Sequence, residues 1–160
     1  MIEFQNVSFS YENGDHAGQL HNINFTIPDG QVVLLCGESG CGKTTLTRLL
    51  NGLIPNYYEG RLEGRVFIDG KSIVEKPLYE IASLTGSVFQ NPRSQFFAVD
   101  TNSELAFGCE NLGIAENEII ARMKRTVAEV HFVTMKDRNI FALSGGENQK
   151  ITCASAAMIE

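Results

Sequence analysis

Apolar and polar residues alternate over two early stretches of the chain, residues 2–11 and 21–27, which predicts two half-buried β-strands. Residues 32–36 are instead continuously apolar and are bounded by turn residues. This pattern is typical of a strand buried on both faces, as in parallel sheets. Shorter strands are predicted over residues 65–69 and 85–90.

The hydrophobic period changes to that of a helix in four other segments. Leucines at helical spacing predict a helix over residues 45–53, and apolar positions on one face predict two more over 118–131 and 147–159. Thr101 and Glu104 have the capping-box spacing, which predicts a helix with Thr101 as its N-cap. Strands therefore predominate before residue 90 and helices after residue 100, and we expect an α/β chain.

Composition narrows the class of protein. The chain has 160 residues, 43% of them apolar, which excludes general disorder and fits one domain. With 13 basic and 19 acidic residues the net charge is −6, which argues against a nucleic-acid partner. The sequence contains no signal-peptide pattern and no bilayer-spanning apolar run. Cys36, Cys41, Cys109 and Cys153 have no metal-binding spacing, so we expect reduced thiols in a soluble cytosolic protein.

A glycine-rich segment follows the apolar run and precedes a predicted helix. It matches the phosphate-binding P-loop pattern G-x-x-x-x-G-K-[ST] at every position, as Gly37, Glu38, Ser39, Gly40, Cys41, Gly42, Lys43 and Thr44. The glycines allow backbone N–H groups to face phosphate oxygens, and the helix N-terminus adds its positive end. Lys43 would approach the β- and γ-phosphates, and the Thr44 hydroxyl could bind Mg²⁺. The sequence therefore predicts nucleotide binding.

A second motif, Leu-Ser-Gly-Gly-Glu-Asn-Gln-Lys at residues 143–150, resembles the signature of the ATP-binding cassette (ABC) family. Taken alone it could be a helix-capping loop. Together with the P-loop, it makes the whole chain similar to an ABC transporter ATPase subunit. The resemblance implies a P-loop cassette with an N-terminal antiparallel β subdomain and a helical signature subdomain. We expect one incomplete domain: residues 1–90 mainly β with the P-loop, 91–143 helical, and 144–160 the signature helix.

The resemblance also assigns roles to individual residues. Tyr11 would stack on adenine, although a strand-end tyrosine could equally serve packing. Gln90 would reach the Mg²⁺ ion and the attacking water, although it could simply end a strand before an Asn-Pro turn. The family pattern makes Lys43 and Gln90 catalytic, and Thr44 and Gln90 ligands of Mg²⁺. Nucleotide-binding residues would be Tyr11, residues 37–44 and Thr45. Ser144, Gly145, Gly146 and Glu147 would contact ATP held by a partner chain.

Further details resemble the energy-coupling-factor branch of the family, which powers uptake of vitamins and metal ions. They are residues 90–97 (Gln-Asn-Pro-Arg-Ser-Gln-Phe-Phe), residues 105–108 (Leu-Ala-Phe-Gly) and the signature itself. This resemblance implies ATP and Mg²⁺ as ligands, with a second cassette, identical or different, and transmembrane transporter subunits as partners. It places the chain in the cytoplasm, peripheral on the inner face of the cell membrane when assembled.

Three parts of the family pattern are not found. The Walker B aspartate, the catalytic glutamate and the switch histidine should follow the signature, and the sequence given ends at Glu160. Asp100 follows an apolar run but precedes Thr101, so we interpret it as a helix-start acid. His16, His21 and His131 all precede the signature. We therefore expect a cassette without its C-terminal strands, deficient in hydrolysis.

Alternative functions remain at this point. The chain could be a non-catalytic ATP-binding module or a gene fragment without a transport role. A P-loop GTPase or small-molecule kinase is disfavoured, because the guanine-reading N-K-x-D pattern and a D-x-x-G after the P-loop are both missing. The net negative charge disfavours a cassette of the DNA-repair type.

Overall fold

The chain begins with an antiparallel sheet of strand order β2-β1-β3-β4. The computed structural model describes residues 1–12, 18–131 and 137–159. The strands are β1 (Ile2–Tyr11), β2 (Leu20–Ile27), β3 (Gly60–Ile68) and β4 (Lys71–Ser72). Three short helices accompany the sheet, namely α1 (Lys43–Leu50), α2 (Leu53–Asn56) and α3 (Leu78–Ala82). These elements form the first of two compact units, Met1–Thr85.

The register of β1 explains the core of this unit. Phe4 is paired with Phe25 on one side and with Val66 on the other, and the Phe4 and Phe25 rings stack with centroids 4.5 Å apart. A bulge interrupts the β1–β3 ladder opposite Gly64, whose φ is +83°; a Cβ there would lie 2.4 Å from the Asn6 carbonyl oxygen. The buried residues of this core are Phe4, Val7, Phe9, Leu20, Leu49, Ile54, Val66, Ile68, Ile73 and Ile81.

The second unit, Gly86–Glu160, is helical where it is described. It contains α4 (Thr101–Asn111), α5 (Glu116–Glu129) and α6 (Gly145–Ala157), with short 3₁₀ turns at Pro92–Ser94 and Ile140–Ala142. Each helix buries one apolar face in a common core. The residues of that core are Leu105, Cys109, Ile119, Ile140, Leu143, Ile151, Ala154 and Met158.

Two predicted strands are absent from the structure. Residues 32–36 form no strand, and the Val32 and Leu34 side chains are 102% and 85% exposed instead of buried. Residues 85–90 form no strand either, and Val88 and Phe89 are exposed. The physical reason is pairing: a parallel strand needs hydrogen-bonded neighbours, and no described segment pairs with these residues. Among the described residues, both apolar runs therefore lack the hydrogen-bonded partner strand that would make them part of a sheet.

The helix limits also need correction at two places. The helix predicted over residues 45–53 begins at Lys43 and ends at Leu50, because Gly52 adopts φ +74° and starts a separate short turn. The predicted capping box at Thr101 is wrong by one residue. Asp100 is the N-cap of α4, and its carboxylate accepts hydrogen bonds from the Asn102 and Ser103 N–H groups. The interpretation of Asp100 as a helix-start acid is confirmed.

Glu104, the fourth residue of the predicted capping box, has a different role. Glu104 is 3% exposed, and one carboxylate oxygen, Oε2, accepts hydrogen bonds from the backbone N–H groups of Phe97 and Ala98 at 3.0 and 2.9 Å. Buried carboxylates are tolerated when backbone donors surround them. Glu104 therefore fixes the chain that enters α4, instead of capping the helix.

We expect Asp100→Ala to lower the free energy of unfolding by about 1 kcal/mol at neutral pH, because α4 loses its cap. Urea unfolding followed by circular dichroism measures the change. Asp100→Asn is the matched control, since asparagine caps about as well and its effect should be small.

The same substitution has a defined pH dependence. The Ser103 N–H and hydroxyl lower the pKa of Asp100 from its ordinary value of 3.8. A lowered folded-state pKa stabilises the protein above the unfolded-state pKa, and this contribution is lost as the pH falls through the folded-state value. The difference between wild type and Asp100→Ala should therefore shrink in acid. Equal stability of the two proteins at pH 7 would contradict the cap.

Candidate functional site

The glycine-rich loop leads directly into α1. Its last residue, Gly42, is the N-cap of α1 with φ +95°, and no side chain caps the helix. A Cβ at Gly42 would lie 2.8 Å from the Leu20 side chain, so both the backbone conformation and the space require glycine. The first-turn N–H groups of a helix without a side-chain cap have no partner within the helix. This end of α1 is therefore prepared to bind an anion.

Lys43, the first residue of α1, folds back over the loop. Its Nζ donates hydrogen bonds to the carbonyl oxygens of Gly37 and Glu38 at 2.8 and 2.6 Å, and lies 3.6 Å from the Cys41 sulfur. A single ammonium thus lies at the mouth of the loop, beside the uncapped helix end. Lysine offers a compact charge with three donors, which suits phosphate oxygens. Residues 31–41 are all exposed, so the loop is accessible.

The two threonines after Lys43 have different environments. Thr44 is exposed, whereas Thr45 is 3% exposed and its hydroxyl lies 3.1 Å from the Tyr11 hydroxyl. Tyr11 ends β1, so the sheet brings the predicted adenine-stacking residue next to the P-loop helix. The Gly18 N–H also donates to the Gly40 carbonyl oxygen at 2.9 Å and ties the loop to the start of β2. The structure thus brings together the predicted base-binding and phosphate-binding residues.

Gln90 lies in the second unit, in an exposed segment before the 3₁₀ turn Pro92–Ser94. The sequence analysis missed the residue that shapes this segment, Gln95. Its side-chain amide accepts from the Phe89 N–H at 3.0 Å and donates to the Ser87 carbonyl oxygen at 2.9 Å. These two bonds substitute for part of a strand ladder. A glutamine shortly after an Asn-Pro turn was the available indication.

The signature motif forms the N-terminus of α6. The Ser144 hydroxyl accepts from the Glu147 N–H at 3.3 Å, and the Glu147 carboxylate accepts from the Ser144 N–H at 2.7 Å. This is a complete capping box. The Ser144 N–H, followed by its hydroxyl, lowers the pKa of Glu147, and the Arg138 guanidinium 3.1 Å away also lowers it. Glu147 is therefore ionised at neutral pH and holds the turn closed.

The two glycines of the signature remain open. A Cβ on Gly145 or Gly146 would meet no atom within 4 Å. Both line a cleft of about 380 Å³, together with Arg93. As residues in the first turn of α6, they have N–H groups without intrahelical partners. The capping box thus fixes the turn while leaving two backbone donors for an outside anion.

Other candidate residues are accounted for. Asp100 caps α4 and is not placed for metal binding. His21 and His131 lie in β2 and just after α5, and His16 lies outside the described residues. Across the described ranges, no group of three His, Cys, Asp or Glu side chains could hold a metal ion. Of the helices in the described ranges, none has the length and apolar character needed to cross a bilayer.

Comparison with known proteins places these motifs in context. The family model described as ABC transporter matches residues 20–160. A putative ABC transporter ATP-binding protein of Treponema denticola is 48% identical over 155 residues, which are 97% of this chain and 32% of that protein. The energy-coupling factor transporter ATP-binding protein EcfA1 of Lactococcus lactis is 34% identical over 154 residues, 96% of this chain and 54% of that protein.

Solved structures show the same fold. The structure of cbiO1 from Clostridium perfringens, described as part of the ABC transporter complex cbiONQ, superposes with a TM-score of 0.84 at 27% identity. The superposition covers 99% of this chain and 61% of the cbiO1 chain. The dimeric bacterial ABC transporter cassette MJ0796 gives a TM-score of 0.76 at 23% identity, over 98% of this chain and 68% of that one.

The chain spans 32% of the length of the two curated relatives that match it at 48% and 41% identity. The family match nevertheless includes both the glycine-rich loop at the start of α1 and the Ser-Gly-Gly turn at the start of α6. The predicted family and the α/β cassette fold are confirmed: this chain belongs to the ABC transporter family.

Proposed function

We propose that this chain is the ATP-binding part of an ABC transporter. The observation that carries the proposal is the P-loop itself, with an uncapped α1 N-terminus, an accessible loop and the Lys43 ammonium at its mouth. All three features favour a polyphosphate over any neutral ligand. Family membership supports ATP as the nucleotide.

The triphosphate is bound by the loop. Backbone N–H groups of residues 37–45 and the Lys43 ammonium surround its oxygens, so the phosphate charge is neutralised. The carbonyl oxygens that now accept from Lys43 compete poorly with phosphate, because charge-assisted bonds to an anion are stronger. Lys43 is thus the residue whose bonding partners change when the ligand binds.

Base and metal contacts extend this site. Tyr11 offers its ring to adenine, supported by its contact with Thr45 of the P-loop helix. The Thr44 hydroxyl and the Gln90 amide supply oxygen ligands of the kind that Mg²⁺ prefers. Bound Mg²⁺ would screen the β- and γ-phosphate charge.

The signature residues act on ATP held by another cassette. Ser144, Gly145, Gly146 and Glu147 open a second helix N-terminus with free donors, and one phosphate site per chain is already provided by the P-loop. A relative solved as a dimer supports this arrangement. The proposed assembly is a homo- or heterodimer of cassettes with ATP between the P-loop of one and the signature of the other.

The relatives support a role in membrane transport. EcfA1 is an energy-coupling factor transporter protein, and cbiO1 belongs to a transporter complex. We extend both descriptions to this chain: it would couple ATP to transmembrane subunits of the energy-coupling-factor type, from the cytoplasmic face of the membrane. No nucleic-acid partner is proposed, given the net charge of −6.

Hydrolysis is not part of the proposal for these 160 residues. The sequence contains no Asp-Glu pair, and the residue that polarises water in the family is not matched. A general base contributes about 10²–10⁴-fold to such reactions. The alternative function, a non-catalytic ATP-binding module or gene fragment, differs from the first in having no transport role.

Lys43→Ala should weaken ATP binding more than tenfold, about 1.4 kcal/mol or more, because the loop loses its only formal positive charge. Isothermal titration calorimetry measures the affinity. Lys71→Ala removes an exposed lysine from β4 of the same unit and should leave the affinity unchanged. Unchanged affinity in a folded Lys43→Ala variant would contradict the assignment of the loop.

Purified chain should release phosphate from MgATP no faster than the Lys43→Ala variant does. The reason is the missing carboxylate and histidine described above, since phosphoryl transfer needs a positioned water as well as neutralised phosphate charge. Release that exceeds that of Lys43→Ala would show an overlooked catalytic group. Asp100→Asn and Glu147→Gln would then identify it.

A further inference from the structure

One side chain outside the motifs connects α1 to the residue proposed to bind adenine. Arg48, on the second turn of α1, donates a hydrogen bond from Nη1 to the Tyr11 hydroxyl at 3.0 Å. Its guanidinium carbon also lies 3.8 Å from the centroid of the Tyr58 ring, in a cation–π contact. One side chain thus joins β1, α1 and the segment before β3.

One of the two hydrogen bonds at the Tyr11 hydroxyl has a defined direction. A guanidinium carries only donors, so the Tyr11 oxygen accepts from Arg48. The Tyr11 proton is then free to be donated to the Thr45 oxygen, 3.1 Å away. A donor on one side of a hydroxyl strengthens the bond it makes on the other. Arg48, Tyr11 and Thr45 therefore form one chain of hydrogen bonds that ends in the P-loop helix.

Two aromatic rings also contact the Tyr11 ring. The Phe9 ring lies 4.8 Å away at an interplanar angle of 84°, and the Tyr58 ring lies 6.3 Å away at 86°. Both contacts are edge-to-face, which restricts tilting of the Tyr11 plane. Because Arg48 packs on Tyr58, it holds one of the two rings that contact Tyr11 as well as the Tyr11 hydroxyl.

We infer that Arg48 is a positioning residue for the nucleotide base: it holds the Tyr11 ring in the orientation that stacks on adenine. This inference rests on the proposed function, in which Tyr11 receives the base. Arg48 contacts the tyrosines and not the loop carbonyl oxygens that Lys43 contacts. Its contribution should therefore depend on the base, because stacking energy depends on the alignment of the two rings.

The test compares two ligands, ATP and inorganic triphosphate, which has the same phosphates without a base. Calorimetry gives the affinity of each for wild type and for Arg48→Gln, with Mg²⁺ present throughout. We expect Arg48→Gln to weaken ATP binding about fivefold, because the Tyr11 ring is less firmly oriented for stacking on the base, and to leave triphosphate binding unchanged. Arg48→Lys, which keeps the charge but loses the planar stack, should weaken ATP binding by a smaller factor.

Two controls separate positioning from charge and from folding. Arg61→Gln removes an exposed arginine of the same unit, whose ion pair is with Glu63, and should change neither affinity. In a Tyr11→Phe background, the hydroxyl through which Arg48 acts is gone. Arg48→Gln should then have a much smaller additional effect on ATP binding. Thermal unfolding of each variant verifies that it is folded, and Arg48→Lys serves if Arg48→Gln is not.

Three results would overturn the inference. They are equal weakening of ATP and triphosphate, no weakening of ATP, and an undiminished loss in the Tyr11→Phe background. Failure of the proposed function has a different outcome. If wild type binds neither ligand, or if Tyr11→Ala leaves the ratio of ATP to triphosphate affinity unchanged, the base-binding role of Tyr11 is wrong, and the inference about Arg48 is wrong with it.

Discussion

The two candidate binding sites of this chain depend on the unpaired N–H groups at the start of a helix. A helix leaves its first-turn donors without partners, and something must accept from them. In α1 no side chain does so, because the N-cap is glycine. In α6 the Ser144–Glu147 box satisfies part of this need, while Gly145 and Gly146 stay uncovered. The two ends differ in charge as well: Lys43 adjoins the first and the ionised Glu147 adjoins the second.

This difference suits two tasks. The α1 end has the Lys43 ammonium and an accessible loop, which suits it to surround a polyphosphate by itself. The α6 end offers two backbone donors in an open cleft, and its own carboxylate is already engaged by the Ser144 N–H and by Arg138. A single turn with two backbone donors can complete an existing phosphate site more readily than it can form such a site alone. The sheet contributes by carrying Tyr11 to the α1 end, where Arg48 and Thr45 hold its hydroxyl.

Local patterns predicted much of this fold. The P-loop, the signature turn, β1, β2 and the helices near residues 118–131 and 147–159 depend on residues close in sequence, and they appear in the structure within a few positions. The runs at 32–36 and 85–90 were predicted as strands from apolarity, yet a strand requires partners distant in sequence. Gln95, Glu104 and Arg48 were missed because their roles depend on which atoms the fold brings near them. The N-cap of α4 is Asp100, one residue before the predicted Thr101. Only the cap geometry could resolve this difference.

In the proposed dimer, each nucleotide is bound at the α1 N-terminus of one chain and at the α6 N-terminus of the other. The most direct test follows backbone amide chemical shifts in a ¹⁵N-labelled protein during MgATP titration, at protein concentrations below and above dimer formation. We expect the backbone amide chemical shifts of residues 37–45 to change at both concentrations. Those of Gly145 and Gly146 should change only where the dimer forms. Shifts of Gly145 and Gly146 in the monomer, or unshifted amides in residues 37–45, would contradict this arrangement.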